Sequence, residues 1–254
     1  MASTLTRRIR EAQAAGRKAL IPYLPAGFPG LDEFWDAVAE LDGAGADIIE
    51  IGVPFSDPVA DGPTVEQAAL ESLARGVTLK WILEGLATRA GRLRAGIVLM
   101  GYLNPFLQYG MEAFARDAAR AGVHGVIIPD LPHEEAADIR ATLAASGLDL
   151  IPLVGLNTSP ARLALYAKDA TGFAYFVSVL GVTGERATLP QAVGARLAEA
   201  KRTFRVPLAL GFGLKTPDQL AALGEGPDAV VFGSALITHL RAGGAPARFL
   251  EAWR

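Results

Sequence analysis

The sequence predicts an α/β fold: a single (β/α)8 TIM barrel over residues 1–254, with an extra N-terminal helix and extended loops after strands 2 and 6. Three observations predict it. Eight short apolar runs start near residues 19, 46, 95, 125, 148, 172, 206 and 229. Their starts recur about every 30 residues, close to one βα unit each. No linker or composition break divides them. A doubly wound open sheet shares this alternation, but no GxGxxG follows the first strand.

The elements follow in order. Met1–Gln13 is polar and charged; it lacks the apolar stretch of a signal peptide. The strands are expected in Ala19–Gly27, Ala46–Pro54, Ala95–Tyr102, Gly125–Leu131, Leu148–Gly155, Gly172–Val179, Val206–Gly213 and Ala229–Ala235. Near-continuous apolar runs suit parallel strands covered on both faces. Helices are expected in Leu31–Leu41, Met111–Ala121, Glu134–Ala145, Pro160–Lys168, Pro190–Thr203 and Pro217–Leu223. Proline costs little at a helix start, and Ser159 and Thr216 are suited to cap the helices at Pro160 and Pro217. Gly45, Gly122 and Gly147 sit where a helix gives way to a strand. Residues 46–95 and 172–206 exceed the repeat, and the surplus is expected as loop on the catalytic face.

Composition excludes several functions. Cysteine is absent, which removes disulfides, thiolate catalysis and zinc–thiolate sites. The net charge of −3 speaks against nucleic-acid binding. No apolar run reaches the roughly 18 residues of a membrane span. A soluble, cytoplasmic protein is expected. The only histidines are His124 before the fourth strand, His133 at a helix start and His239 in the last helical region, so no histidine-rich metal site is expected. Of the five lysines, only Lys215 lies just past a strand end, in the context of a helix entry. Schiff-base chemistry is therefore not favoured.

Carboxylates remain. Glu50 stands among Ile48, Ile49 and Ile51. Alternation turns it away from Ile49 and Ile51. Burial there would raise its proton affinity into the range of acid–base catalysis; an arginine-paired structural carboxylate is the competing reading. Asp57 and Asp61 lie in a Pro- and Gly-rich loop, and on turn chemistry alone both read as structural. Gly211–Gly213 and Gly233–Ser234 end the seventh and eighth strands, where such barrels bind phosphate. Gly181–Gly184 follows the sixth. Tyr23, Met100, Tyr102, Tyr175 and Phe212 are suited to an apolar pocket or to core filling.

The run Glu50–Pro63 (EIGVPFSDPVADGP) closely resembles the signature of the tryptophan synthase alpha subunit family. The resemblance covers the whole chain, through Pro22-Tyr23, Met100–Pro105, Pro129–Pro132, Gly181–Gly184, Gly211–Gly213 and Gly233-Ser234. It implies a lyase that cleaves indole-3-glycerol phosphate to indole and glyceraldehyde 3-phosphate. Glu50 then matches the catalytic proton shuttle, and Asp61 the acid that holds the indole N–H. Gly184, Gly213, Gly233 and Ser234 match phosphate contacts; Tyr23, Met100, Tyr175 and Phe212 match the indole pocket. Thr183 matches a lid residue, and Pro54 and Asp57 belong to the partner-facing loop. The implied partner is a pyridoxal-phosphate-dependent beta subunit in an alpha-beta-beta-alpha heterotetramer with allosteric coupling. The alpha chain itself needs no cofactor. The sequence departs from the family pattern at Pro25, Gly101, Leu180 and Gly155–Ser159, departures that bear on turnover, lid closure and coupling. A sugar-phosphate isomerase or epimerase, a glycerol-phosphate prenyltransferase and a partner-activating barrel with little activity of its own are the alternatives.

Overall fold

The computed structural model describes residues 2–177, 191–211 and 226–253. The lid stretch with Leu180, Thr183 and Gly184, the segment with Phe212, Gly213 and Lys215, and the expected helix at Pro217–Leu223 lie outside the described residues.

Among the described residues, nine strand segments form one parallel sheet: β1 (Ala19–Pro25), β2 (Ile48–Gly52), β3 (Gly96–Met100), β4 (Gly125–Ile127), β5 (Asp149–Leu150), β6 (Leu153–Gly155), β7 (Ala174–Val177), β8 (Leu208–Gly211) and β9 (Ala229–Phe232). Their order is β5-β4-β3-β2-β1-β9-β8-β7-β6. The two ends of that order, β5 and β6, are successive pieces of one strand, so the sheet closes into a barrel. The expected fifth strand is thus split at Ile151-Pro152. Proline has no N–H to give to the ladder, although Pro152 O still accepts from Tyr175 N.

Helices clothe the barrel: α1 (Thr4–Ala14), α2 (Leu31–Gly43), α3 (Pro63–Ala74), α4 (Leu79–Ala87), α5 (Leu103–Tyr109), α6 (Met111–Arg120), α7 (Ala137–Ala145), α8 (Pro160–Asp169), α9 (Gln191–Thr203), α10 (Ser234–Arg241) and α11 (Pro246–Glu251). Ser159 caps α8, accepting from Arg162 N at 3.3 Å. Gly45, Gly122 and Gly147 adopt positive φ at helix exits, a conformation that costs glycine little.

The surplus after the second strand is not all loop. Residues 53–62 are loop, and α3 and α4 use most of the rest. The extra helix α1 closes the N-terminal end of the barrel. Its Leu5, Ile9 and Ala12 are fully buried. Leu5 lies so close to Gly96 and Gly125 that a Cβ on either would meet it at 2.8 and 2.7 Å. With that end plugged, the sequence motifs gather at the other end, where the strands finish.

Candidate active site

A cavity of about 260 Å³ opens at the C-terminal end of the barrel. Tyr23, Glu50, Asp61, Met100, Tyr175, Gly233 and Ser234 all line it, with Val65, Val231 and Phe232 among the apolar wall. The register explains the convergence. Tyr23 on β1 pairs with Glu50 on β2, and Glu50 with Val98 on β3. Met100 and Gly233 stand at or just past the ends of β3 and β9.

Glu50 is 1% exposed. Neither of its carboxyl oxygens has a hydrogen-bond partner among the described residues. Among the described residues no arginine pairs with it. A charge in such a place is costly, so the neutral acid is favoured. Burial, reinforced by the Asp61 charge, pushes Glu50 up to about 8. Asp61 sits where the 53–62 loop returns to the barrel and is partly exposed. Burial, and then the Glu66 charge, push it up to about 6. Two carboxyl groups in one cavity are thus driven apart, and at pH 7 one holds a proton while the other has lost it.

Gly233 leads into α10. A Cβ there would lie 2.8 Å from Tyr23 Cδ1, so only glycine lets this backbone pass the ring. The first amides of α10 have no intrahelical acceptor, as at any helix start. They lie beside Ser234 at the cavity rim, an arrangement that receives anions. On the same reasoning Gly211 is required beside Tyr175, because a Cβ would run into the ring.

Some expected residues lie elsewhere. Tyr102 is buried but is not part of the cavity wall. Pro54 is buried, whereas Asp57 is exposed. His124 accepts from Ile97 N through Nδ1, below the strands and away from the cavity. Among the described residues no cluster of His, Cys, Asp and Glu is arranged to hold a metal ion. No helix among them is long and apolar enough to cross a membrane. A second cavity, of about 270 Å³, lies against the outer side of the barrel between α7 and α8. Its polar groups His133, Arg140 and Asp169 are engaged with one another, Asp169 Oδ2 lying 3.5 Å from both His133 and Arg140.

Fold and site together define a (β/α)8-barrel enzyme with a pair of carboxyl groups in an apolar mouth and a helix start beside them. Comparison with known proteins narrows the class. The family model described as tryptophan synthase alpha chain matches residues 9–249. The tryptophan synthase alpha chain of Solidesulfovibrio magneticus is 62% identical over 252 residues, covering 99% of this chain and 98% of that one. The crystal structure of tryptophan synthase subunit alpha from Legionella pneumophila superposes with a TM-score of 0.90 at 32% identity, over 100% of this chain and 97% of that one. A Mycobacterium tuberculosis tryptophan synthase chain gives 0.89 at 38% identity, over 100% and 96%. The chain belongs to the tryptophan synthase alpha chain family. Its reaction is the cleavage of indole-3-glycerol phosphate to indole and glyceraldehyde 3-phosphate, in tryptophan biosynthesis.

Proposed function

We propose that Glu50 and Asp61 perform this cleavage as a divided acid–base pair. The supporting observation is the opposed ionisation of the two groups inside one cavity, about 8 for Glu50 and about 6 for Asp61. At neutral pH Glu50 carries the proton that indole C3 must receive. Protonation at C3 turns the ring into an indolenine cation, and the Asp61 carboxylate accepts a hydrogen bond from its N–H. A negative group fixed beside developing positive charge lowers the barrel enzyme's barrier at that step. Glu50, now ionised, takes the proton of the glyceryl hydroxyl next to the ring. The carbonyl forms, the bond to C3 breaks, and its electron pair restores the aromatic ring. Glu50 ends protonated, ready for the next turnover. The ring serves as electron sink, so no lysine is needed.

Tyr23, Met100 and Tyr175 hold the indole, joined through the family pattern by Phe212. Gly233, Ser234 and the free amides of α10 hold the phosphate, joined by Gly184 and Gly213. Thr183 matches the family's lid residue. The loop with Pro54 and Asp57 faces a beta subunit that carries pyridoxal phosphate and receives the indole in an alpha-beta-beta-alpha complex. This chain works without a cofactor of its own, in the cytoplasm.

Indole release from indole-3-glycerol phosphate tests the reading. Removing a positioned general acid costs about 10²–10⁴-fold in rate. Glu50→Gln is expected to lose that much while still binding glycerol 3-phosphate. Near-normal release by this variant would overturn the assignment.

A further inference from the structure

We propose that Tyr102 is a positioning residue for Asp61: it holds both ends of the 53–62 loop against the barrel and so places the carboxylate for the indole N–H. The inference deepens the function proposed above and rests on its assignment of Asp61.

Among the described residues the loop has few other anchors. Ser56, Asp57, Val59 and Ala60 are exposed, Val59 at 86%. Inside the loop, Asp61 N reaches Pro58 O only at 3.4 Å. Its start is tied to the barrel where Val53 N donates to Met100 O at 2.7 Å. Two residues on, the Phe55 ring stacks on Tyr102 with centroids 5.2 Å apart and planes at 29°. At the far end, Ala60 N donates to Tyr102 Oη at 2.9 Å. One side chain thus meets the loop near both ends.

Tyr102 is itself well fixed. It is 4% exposed and directly precedes α5. Gly101 N donates to Ile127 O at 3.0 Å, and Leu103 N donates to Asp130 Oδ1 at 2.9 Å. At Gly101 a Cβ would lie 2.8 Å from Val53 Cβ, so the departure from the family pattern there brings the base of the loop close to β3. A phenol held this firmly can fix the backbone on which Asp61 is carried. It stands outside the cavity wall, so its action on the reaction runs through Asp61.

Tyr102→Phe tests this, because it keeps the ring and its stack and deletes only the acceptor oxygen. Glu50 from β2, Glu66 from α3, Tyr23 from β1 and Tyr175 from β7 also influence or face Asp61, and all stay in place. The expected result is a kcat for indole release lowered about tenfold, the loss of roughly one hydrogen bond's worth of positioning. Glycerol 3-phosphate inhibition should stay within about twofold of wild type, since its groups are on other strands. The acid limb of the rate profile should move to lower pH, because a loosened Asp61 gains solvent. A kcat within about twofold of wild type and an unmoved limb would overturn the proposal. So would a parallel fall of kcat, glycerol 3-phosphate binding and Tm, which marks a merely structural role. A wild-type rate that survives Asp61→Asn would overturn the Asp61 assignment and this proposal with it. A rate that needs Asp61 yet ignores Tyr102→Phe would overturn the proposal alone.

Discussion

Glu50→Gln changes stability as well as chemistry, and the pH dependence of that change can be worked from the structure. Glu50 titrates near its ordinary 4.5 in the unfolded chain and at about 8 in the folded protein. Between those values the folded state holds a proton that the unfolded state has released. Stability then falls as pH rises, starting near the unfolded value and levelling off above the folded one. Glutamine does not titrate, so the wild type must lose stability relative to Glu50→Gln over that window. From pH 5 to pH 7 the two values give a relative loss on the order of 2–3 kcal/mol. The constant cost of burying an unpartnered amide cancels in this difference. Urea unfolding of both proteins at pH 5 and pH 7, followed by circular dichroism, reads it directly. For a chain of this size it amounts to about 5–10 °C in relative Tm. An offset between the two proteins that is the same at both pH values would refute the claim that Glu50 is a buried acid of raised proton affinity.

Other outcomes follow from the same geometry. The pH profile of kcat/KM should be bell-shaped, with an acid limb from Asp61 near 6 and an alkaline limb from Glu50 near 8. Glu66→Gln should shift the acid limb to lower pH and leave the alkaline limb in place, since the Glu66 charge acts on Asp61 and not on Glu50. Asp61→Asn should lower kcat by about 10²–10³-fold, as loss of a preorganised charge does; with the Asp61 charge gone, the Glu50 limb should also fall to lower pH. Gly233→Ala should raise the KM for indole-3-glycerol phosphate more than it lowers kcat, because the added methyl drives the Tyr23 ring into the cavity; steady-state kinetics separates the two.

Much of the barrel is readable in sequence because its signals are continuous. The apolar runs at 19, 125 and 229 begin at the residues where β1, β4 and β9 begin. Buried parallel strands carry no alternation to lose. The helix α3 is hidden because it buries only Ala68, Ala69 and Ser72, residues too small to mark a stripe. In α4 the stripe is plain in Leu79, Ile82, Leu83 and Leu86, but assigning surplus length to loop conceals it. Glu50 announces itself as a carboxyl in an isoleucine run. Asp61 does not: its Asp-Gly context is that of any turn, and only the family signature separates it from Asp57. Tyr102 is visible only as one more aromatic near a strand end. Its contact with Ala60 is a hydrogen bond from a backbone N–H to the side-chain hydroxyl across 42 positions, which no local pattern encodes.

The most direct measurement is indole release from indole-3-glycerol phosphate by wild type and Glu50→Gln at pH 7, with glycerol 3-phosphate binding measured on both. A protonated Glu50 acting on C3 predicts release by the wild type and a loss of at least about a hundredfold in the variant, with binding retained. Release by Glu50→Gln within a few-fold of wild type would contradict the account.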